Sequence, residues 1–319
     1  MNERHSIIPY VGGKYDQSPW IVSKFPRGYT SYGYLEPFCG GLSVFFMKQP
    51  SDVEVLTDAD GDLVNLWMVI QRQGDELARA ALRLPYARKI YDTWAADWYR
   101  GIRPLDDFER ALRFYYLART SFSGKNQKKS GWARSIKKNQ ARAYYNITER
   151  EIVWAMERLQ GVQIECGSYK QAIKQYSDSS CLIYCDPPFI GTEHYYKHTF
   201  GAEDHIELAG ILNDCPGYVV LSYHDHPMLH ELYPQGKWFW NWRNASIDCN
   251  GTTGADRDGS KKKQVVDEVL ITNYREQLSL FTSASPGWNR ELAVRRLSGV
   301  PEADLKGGRS HENNPNNHA

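Results

Sequence analysis

The sequence contains no long apolar run. None of its 319 residues falls in a stretch approaching the roughly 20 apolar positions that a membrane helix requires. The opening Met1-Asn2-Glu3-Arg4-His5 lacks the basic-then-apolar order of a secretory leader. Neither secretion nor membrane insertion is expected; a cytoplasmic location is. Cysteine is sparse: Cys39, Cys166, Cys181, Cys185, Cys215 and Cys249 form no Cys-x-x-Cys pair. That excludes the usual zinc frameworks and suits reduced thiols, so no metal is expected. Two glycine signatures are missing as well. Without Gly-x-Gly-x-x-Gly a dehydrogenase is disfavoured, and Gly12-Gly13-Lys14 runs into Tyr15 rather than the Ser or Thr of a phosphate loop. Taken alone, that piece reads as a surface turn with a solvated lysine.

What is present describes a globular chain, with 24% charged residues, a net charge of +1 and a mean hydropathy of −0.60. An α/β rhythm occupies both ends of its folded part. Residues 34–46 read as a strand, a glycine turn and an apolar helix start; Val53-Glu54-Val55-Leu56-Thr57 is a second strand that ends in Asp58, and a helix follows from Leu63 to Ile70. The rhythm resumes with residues 162–169, the strands Cys181 to Cys185 and Tyr218 to Tyr223, and a final pair at residues 237–242 and 265–274. A polar loop joins that pair, as in an antiparallel hairpin with a mobile tip. Between them, residues 72–160 carry helical periodicity. The expected organisation is therefore a discontinuous α/β domain (1–71 and 161–282), a mainly helical insertion (72–160) and a polar, disordered tail (283–319).

Near-neutral charge conceals a one-sided segment. From Arg113 to Thr148 there is no Asp or Glu, whereas Arg119, Lys125, Lys128, Lys129, Arg134, Lys137, Lys138 and Arg142 all fall there, interleaved with Phe122, Asn126, Gln127 and Trp132. Phosphates require positive charge for affinity, and base edges require amides and guanidiniums for specificity, so this run reads as a nucleic-acid surface. A second signal is Asp186-Pro187-Pro188-Phe189, directly after the apolar strand. Ligands bind at the carboxyl ends of strands in an open α/β sheet. The successive prolines fix φ and lack N–H groups, which holds their carbonyls rigid and free to accept. An amino group offered to this turn can donate one hydrogen to Asp186 and the other to the Pro187 carbonyl, with Phe189 as a stacking face. A third signal is the turn Glu36-Pro37-Phe38-Cys39-Gly40-Gly41, where Glu36 can accept from an ammonium and Asp58, at the next strand end, from ribose hydroxyls. An ammonium and a ribose without a phosphate grip suit S-adenosylmethionine.

Together, Pro9 to Lys14, Glu36 to Gly41, Asp58, Asp186 to Phe189, Val219 to Tyr223 and Glu268 to Tyr274 resemble, in the same order, the motifs of the Dam-type adenine-specific DNA methyltransferases. The resemblance implies a Rossmann-like methyltransferase sheet with an inserted helical target-recognition domain, acting on double-stranded DNA with S-adenosylmethionine as cofactor. It implies that Tyr10, Lys14, Asp58 and Asp186 contact the cofactor. Glu36, Phe38, Gly40, Ser168 and Tyr169 are further cofactor candidates, and Asp186, Pro187, Pro188 and Phe189 form the catalytic motif. The residues from Arg119 to Gly124 would belong to the recognition insertion, so Arg119, Ser123, Lys125, Asn126, Lys128, Lys129, Arg134 and Lys137 are the candidate DNA contacts. The sequence departs from the family pattern in having Phe189 where tyrosine is commoner and Tyr10 where tryptophan is frequent. The expected activity is methyl transfer to the exocyclic amino group of a flipped adenine, in a restriction–modification setting among others. Methylation of the cytosine amino group, an RNA substrate, and a catalytically silent DNA-binding protein are the alternatives.

Overall fold

In a computed structural model of the chain, residues 6–122, 130–193, 200–248 and 263–275 are described. All belong to one unit, Glu3–Leu280; the second unit, Met1–Asn2 with Phe281–Ala319, lies outside the described residues, as do the expected hairpin tip and the polar tail. The elements, in chain order, are α1 (Ser18–Ser23), β1 (Gly33–Glu36), α2 (Ser43–Met47), β2 (Glu54–Asp58), α3 (Gly61–Arg83), α4 (Arg88–Tyr99), α5 (Asp107–Thr120), α6 (Gln140–Arg158), β3 (Gln163–Cys166), α7 (Tyr169–Tyr176), β4 (Cys181–Cys185), α8 (Ala202–Asn213), β5 (Tyr218–His224), α9 (Pro227–Leu232), β6 (Phe239–Asp248) and β7 (Lys263–Thr272).

Among the described residues the strands form one sheet in the order β3-β2-β1-β4-β5-β7-β6. The first five are parallel, while β7 enters antiparallel between β5 and β6. Strand alternation divides the core between the two faces. Tyr34, Leu182, Tyr184, Val220 and Leu270 pack towards α3, α5 and α6. Leu35, Ile183, Cys185, Leu221, Val269 and Ile271 pack with residues of α7, α8 and α9. Cys181 and Cys185 thus face the apolar interior.

The helix expected from Leu63 to Ile70 extends to Arg83, because its apolar stripe continues through Leu77, Ala78 and Ala81. Asp60 caps it by accepting from the Asp62 N–H at 3.1 Å, and its backbone leaves helical geometry at Gln73. α3 packs on α5 and α6. A buried ion cluster ties the end of α6 to the sheet: Arg158 donates to both oxygens of Glu54, at 2.6 and 2.8 Å, and Lys48 also pairs with Glu54. No helix among the described residues is long and apolar enough to cross a membrane.

Candidate active site

The carboxyl ends of β1, β2 and β4 open into a cavity of about 340 Å³. Its wall is built by short segments far apart in the chain. Tyr10 to Lys14 form one side, Glu36 to Val44 the turn after β1, Asp58 to Asp60 the end of β2, and Gly167 to Lys170 the start of α7; Tyr184, Asp186 and Pro188 come from β4 and its exit. The N-terminal ends of α3 and α7, where Asp60 and Ser168 serve as caps, therefore meet at the cavity.

The glycine turn is shaped by packing. Gly40 has φ of 44°, and a side-chain carbon at Gly40 or Gly41 would come within 3.1 Å of Tyr10. Only glycine permits both that conformation and the close approach of the tyrosine. Asp58 stabilises the turn: its Oδ2 accepts from the Gly40 N–H at 3.0 Å, while Oδ1 accepts from the Asp60 N–H at 2.9 Å. Trp67 donates to the Gly40 carbonyl at 3.1 Å. Phe38, Tyr169 and Phe200 form an aromatic cluster in the wall, with Phe38 stacked on Tyr169 at 5.1 Å.

Two acids bear the electrostatic weight. Glu36 is 3% exposed and accepts from the Tyr34 hydroxyl at 2.7 Å. Burial pushes its carboxyl up to about 8, against the pull of Tyr34 and Lys48, with Asp186 and Glu54 adding to the rise. Burial likewise raises Asp186, and the neighbouring Lys14 charge opposes it. Lys14 Nζ lies 2.7 Å from Asp186 Oδ1, donates to the Gly12 carbonyl at 2.8 Å, and sits 4.5 Å above the centre of the Phe189 ring. At 6% exposure, Lys14 corrects the expectation of a solvated lysine on a surface turn. A charge so enclosed is retained because an acid and a carbonyl receive it.

Every expected cofactor residue lines this one cavity: Tyr10, Lys14, Glu36, Phe38, Gly40, Asp58, Ser168, Tyr169 and Asp186. Pro188 does so as well. Pro187 and Phe189 are not among its lining residues; Phe189 is 8% exposed, its ring packed edge-on against His224 at 4.5 Å and tilted against Tyr223 at 5.6 Å. Sequence reading missed Tyr34, Tyr184 and His224, which carry no motif and are signalled only by lying at strand ends.

The expected DNA contacts divide. Arg134 and Lys137 are exposed, as are Lys138 and Arg142. Arg119 does not share that exposure. It is half-buried, its Nε is enclosed without a hydrogen bond, and burial lowers its pKa, with Tyr115 and Glu151 facing it. Ser123, Lys125, Asn126, Lys128 and Lys129 lie outside the described residues.

Comparison with known proteins now assigns this arrangement. A family model for D12 class N6 adenine-specific DNA methyltransferases matches residues 10–246. The chain belongs to this family. It is 28% identical to a DNA adenine methylase of Escherichia coli K12 over 284 residues, covering 85% of this chain and 95% of that one. It is 25% identical to a DNA N-6-adenine-methyltransferase of Escherichia phage P1, over 78% of this chain and 34% of the relative. A Type II methyltransferase of Paramecium bursaria Chlorella virus NC1A matches at 26% identity, over 71% of this chain and 85% of its own. The fold is that of a Rossmann-like methyltransferase, and family membership makes the chain an enzyme that methylates adenine in DNA, setting aside the cytosine, RNA and silent-binder alternatives.

Proposed function

We propose that Asp186 and Pro187 hold the amino group of an adenine flipped out of duplex DNA, facing a methyl donor seated between Glu36, Asp58 and the glycine turn. The observation that carries this reading is the place of Lys14. Its ammonium, an N–H donor, rests on Asp186 Oδ1 and over the Phe189 ring, the two features that an adenine amino group and its ring would engage. The site accommodates such a donor before any base arrives.

S-adenosylmethionine is the cofactor, and when bound it supplies an electrophilic methyl group on a sulfonium. The residues present suit it: a buried acid, hydrogen-bonded by Tyr34, for its ammonium, an aspartate at the end of β2 to accept from ribose hydroxyls, and an aromatic cluster for a purine. The chain's own groups supply the remaining steps. The adenine amino nitrogen is a poor nucleophile because its lone pair is delocalised into the ring. Accepting its two hydrogens at Asp186 and at the rigid Pro187 carbonyl turns that lone pair outward, and positioning accounts for much of the acceleration. Asp186 then takes the proton that the methylated nitrogen sheds. Duplex DNA hides this nitrogen, so the base must leave the stack, and Phe189 offsets part of the stacking given up.

In this reading residues 72–160 form the recognition insertion, the exposed Arg134 and Lys137 contact phosphates, and the enzyme works in the cytoplasm. The test is Asp186→Ala. DNA from cells expressing it should contain no N6-methyladenine above background by mass analysis, while the purified variant still retains duplex. Normal methylation by the variant would refute the assigned role.

A further inference from the structure

An aromatic ladder stands outside the cavity and takes no part in the chemistry above, although its interpretation rests on that reading. Alternation along β6 places Trp240 and Trp242 on one face, and Trp238 directly precedes the strand. Trp238 is buried, whereas Trp242 is 48% exposed. The exposed ring is nevertheless fixed. Its Nε1 donates to Asp225 Oδ2 at 3.1 Å, and His230 Nε2 lies 2.8 Å from the other oxygen of Asp225. His230 stacks on Trp240 with centroids 4.2 Å apart and planes 14° apart; Trp240 in turn stacks on Trp242 at 5.7 Å and 29°. With its only donor engaged, the Trp242 indole has just a flat π face to offer.

Strand register relates this face to the catalytic motif. Tyr223 of β5 pairs with Val269 of β7, and Val269 pairs with Trp242 of β6. Residues directly opposite in a sheet share a face. Trp242 therefore lies on the Tyr223 face and row, two strand spacings or about 10 Å away. Tyr223 packs on Phe189, and Asp225 directly follows His224, whose ring meets Phe189. The ladder thus lies on the edge strand, on the sheet face that carries Tyr223 and Phe189.

We propose that Trp242 is a second stacking platform, receiving the base next to the flipped adenine. Extruding the adenine strips that neighbour of a stacking partner on one side, and an aromatic face can replace it whatever the base, since every base has a π surface. Both oxygens of Asp225 are engaged by nitrogen donors, which tempers its repulsion of the adjacent phosphate.

The test uses the full-length protein and a duplex bearing a site that the wild type methylates, with 2-aminopurine at the base beside the target adenine. Trp242→Ala should weaken duplex binding about tenfold or more and raise the 2-aminopurine fluorescence of the complex. Trp242→Phe, which keeps a flat ring, should retain most of the affinity and quenching; Trp242→Leu should behave like alanine. Melting temperature and cofactor affinity, unchanged in all three, show that the fold is intact. Wild-type affinity in Trp242→Ala, or a leucine variant equal to the phenylalanine one, would overturn the platform. Asp186→Ala is assayed on the same duplex: normal methylation by that variant would sink the proposed function, whereas its inactivity together with undiminished Trp242→Ala binding sinks the platform alone.

Discussion

Replacing Glu36 by glutamine should flatten the dependence of stability on pH. Burial lifts this carboxyl from its ordinary 4.5 to about 8, so the folded chain binds its proton more tightly than the unfolded chain does. The stabilisation this provides is complete below about pH 4.5 and is lost as pH rises through 8. His224 and Lys48 define the usable window. Burial and the Lys14 charge lower His224 to about 4 from 6.5, so its effect has the opposite sign and ends near pH 6.5. Burial brings Lys48 down to about 8, so it contributes only above that pH. From pH 6.5 to 8 the Glu36 proton dominates. At about 1.4 kcal/mol per pH unit, the wild type should lose about 2 kcal/mol across this window relative to Glu36→Gln. Urea unfolding of both proteins at several pH values measures the difference. In the proposed site a cofactor ammonium expels the same proton, so wild-type cofactor affinity should rise by up to about tenfold per pH unit over this range, and that of Glu36→Gln should not. Parallel stability curves for the two proteins would refute the reasoning.

Lys14→Met removes the charge that opposes the burial of Asp186, so the carboxyl should rise further; the acidic limb of the methylation rate profile then moves to higher pH, seen as a greater deficit at pH 6 than at pH 8.5. Arg158→Met strips Glu54 of two hydrogen bonds in a buried cluster and should cost about 3 to 5 kcal/mol in urea unfolding, whereas removing Arg158 and Glu54 together should cost less than the two single losses combined. Neutralising the exposed Arg134 and Lys137 should weaken duplex binding without altering which adenine is methylated, and should reduce the slope of log affinity against log salt by about one for each phosphate no longer neutralised. An unchanged slope would place those two residues away from DNA.

The local signals served well wherever one segment carries its own periodicity. Cys181–Cys185 is a continuous apolar run and forms a strand buried on both faces; Asp186 follows at its carboxyl end as expected. The final hairpin was legible in kind but not in length. Its strands continue to Asp248 and from Lys263, beyond the residues read as strand from the sequence. A charge run does not reveal which of its members a helix half-buries, as α5 does Arg119.

By itself the sequence determined the elements, the places where strands end in acids and the family to which the chain belongs, since each depends on residues close together in the chain. The tertiary structure alone decided that β7 enters between β5 and β6, that Tyr10 covers the glycine turn, and that Lys14 neutralises Asp186 beneath the same cavity as Glu36. These depend on contacts between distant segments, whose pairing is selected by the collective burial of both sheet faces rather than by any local pattern.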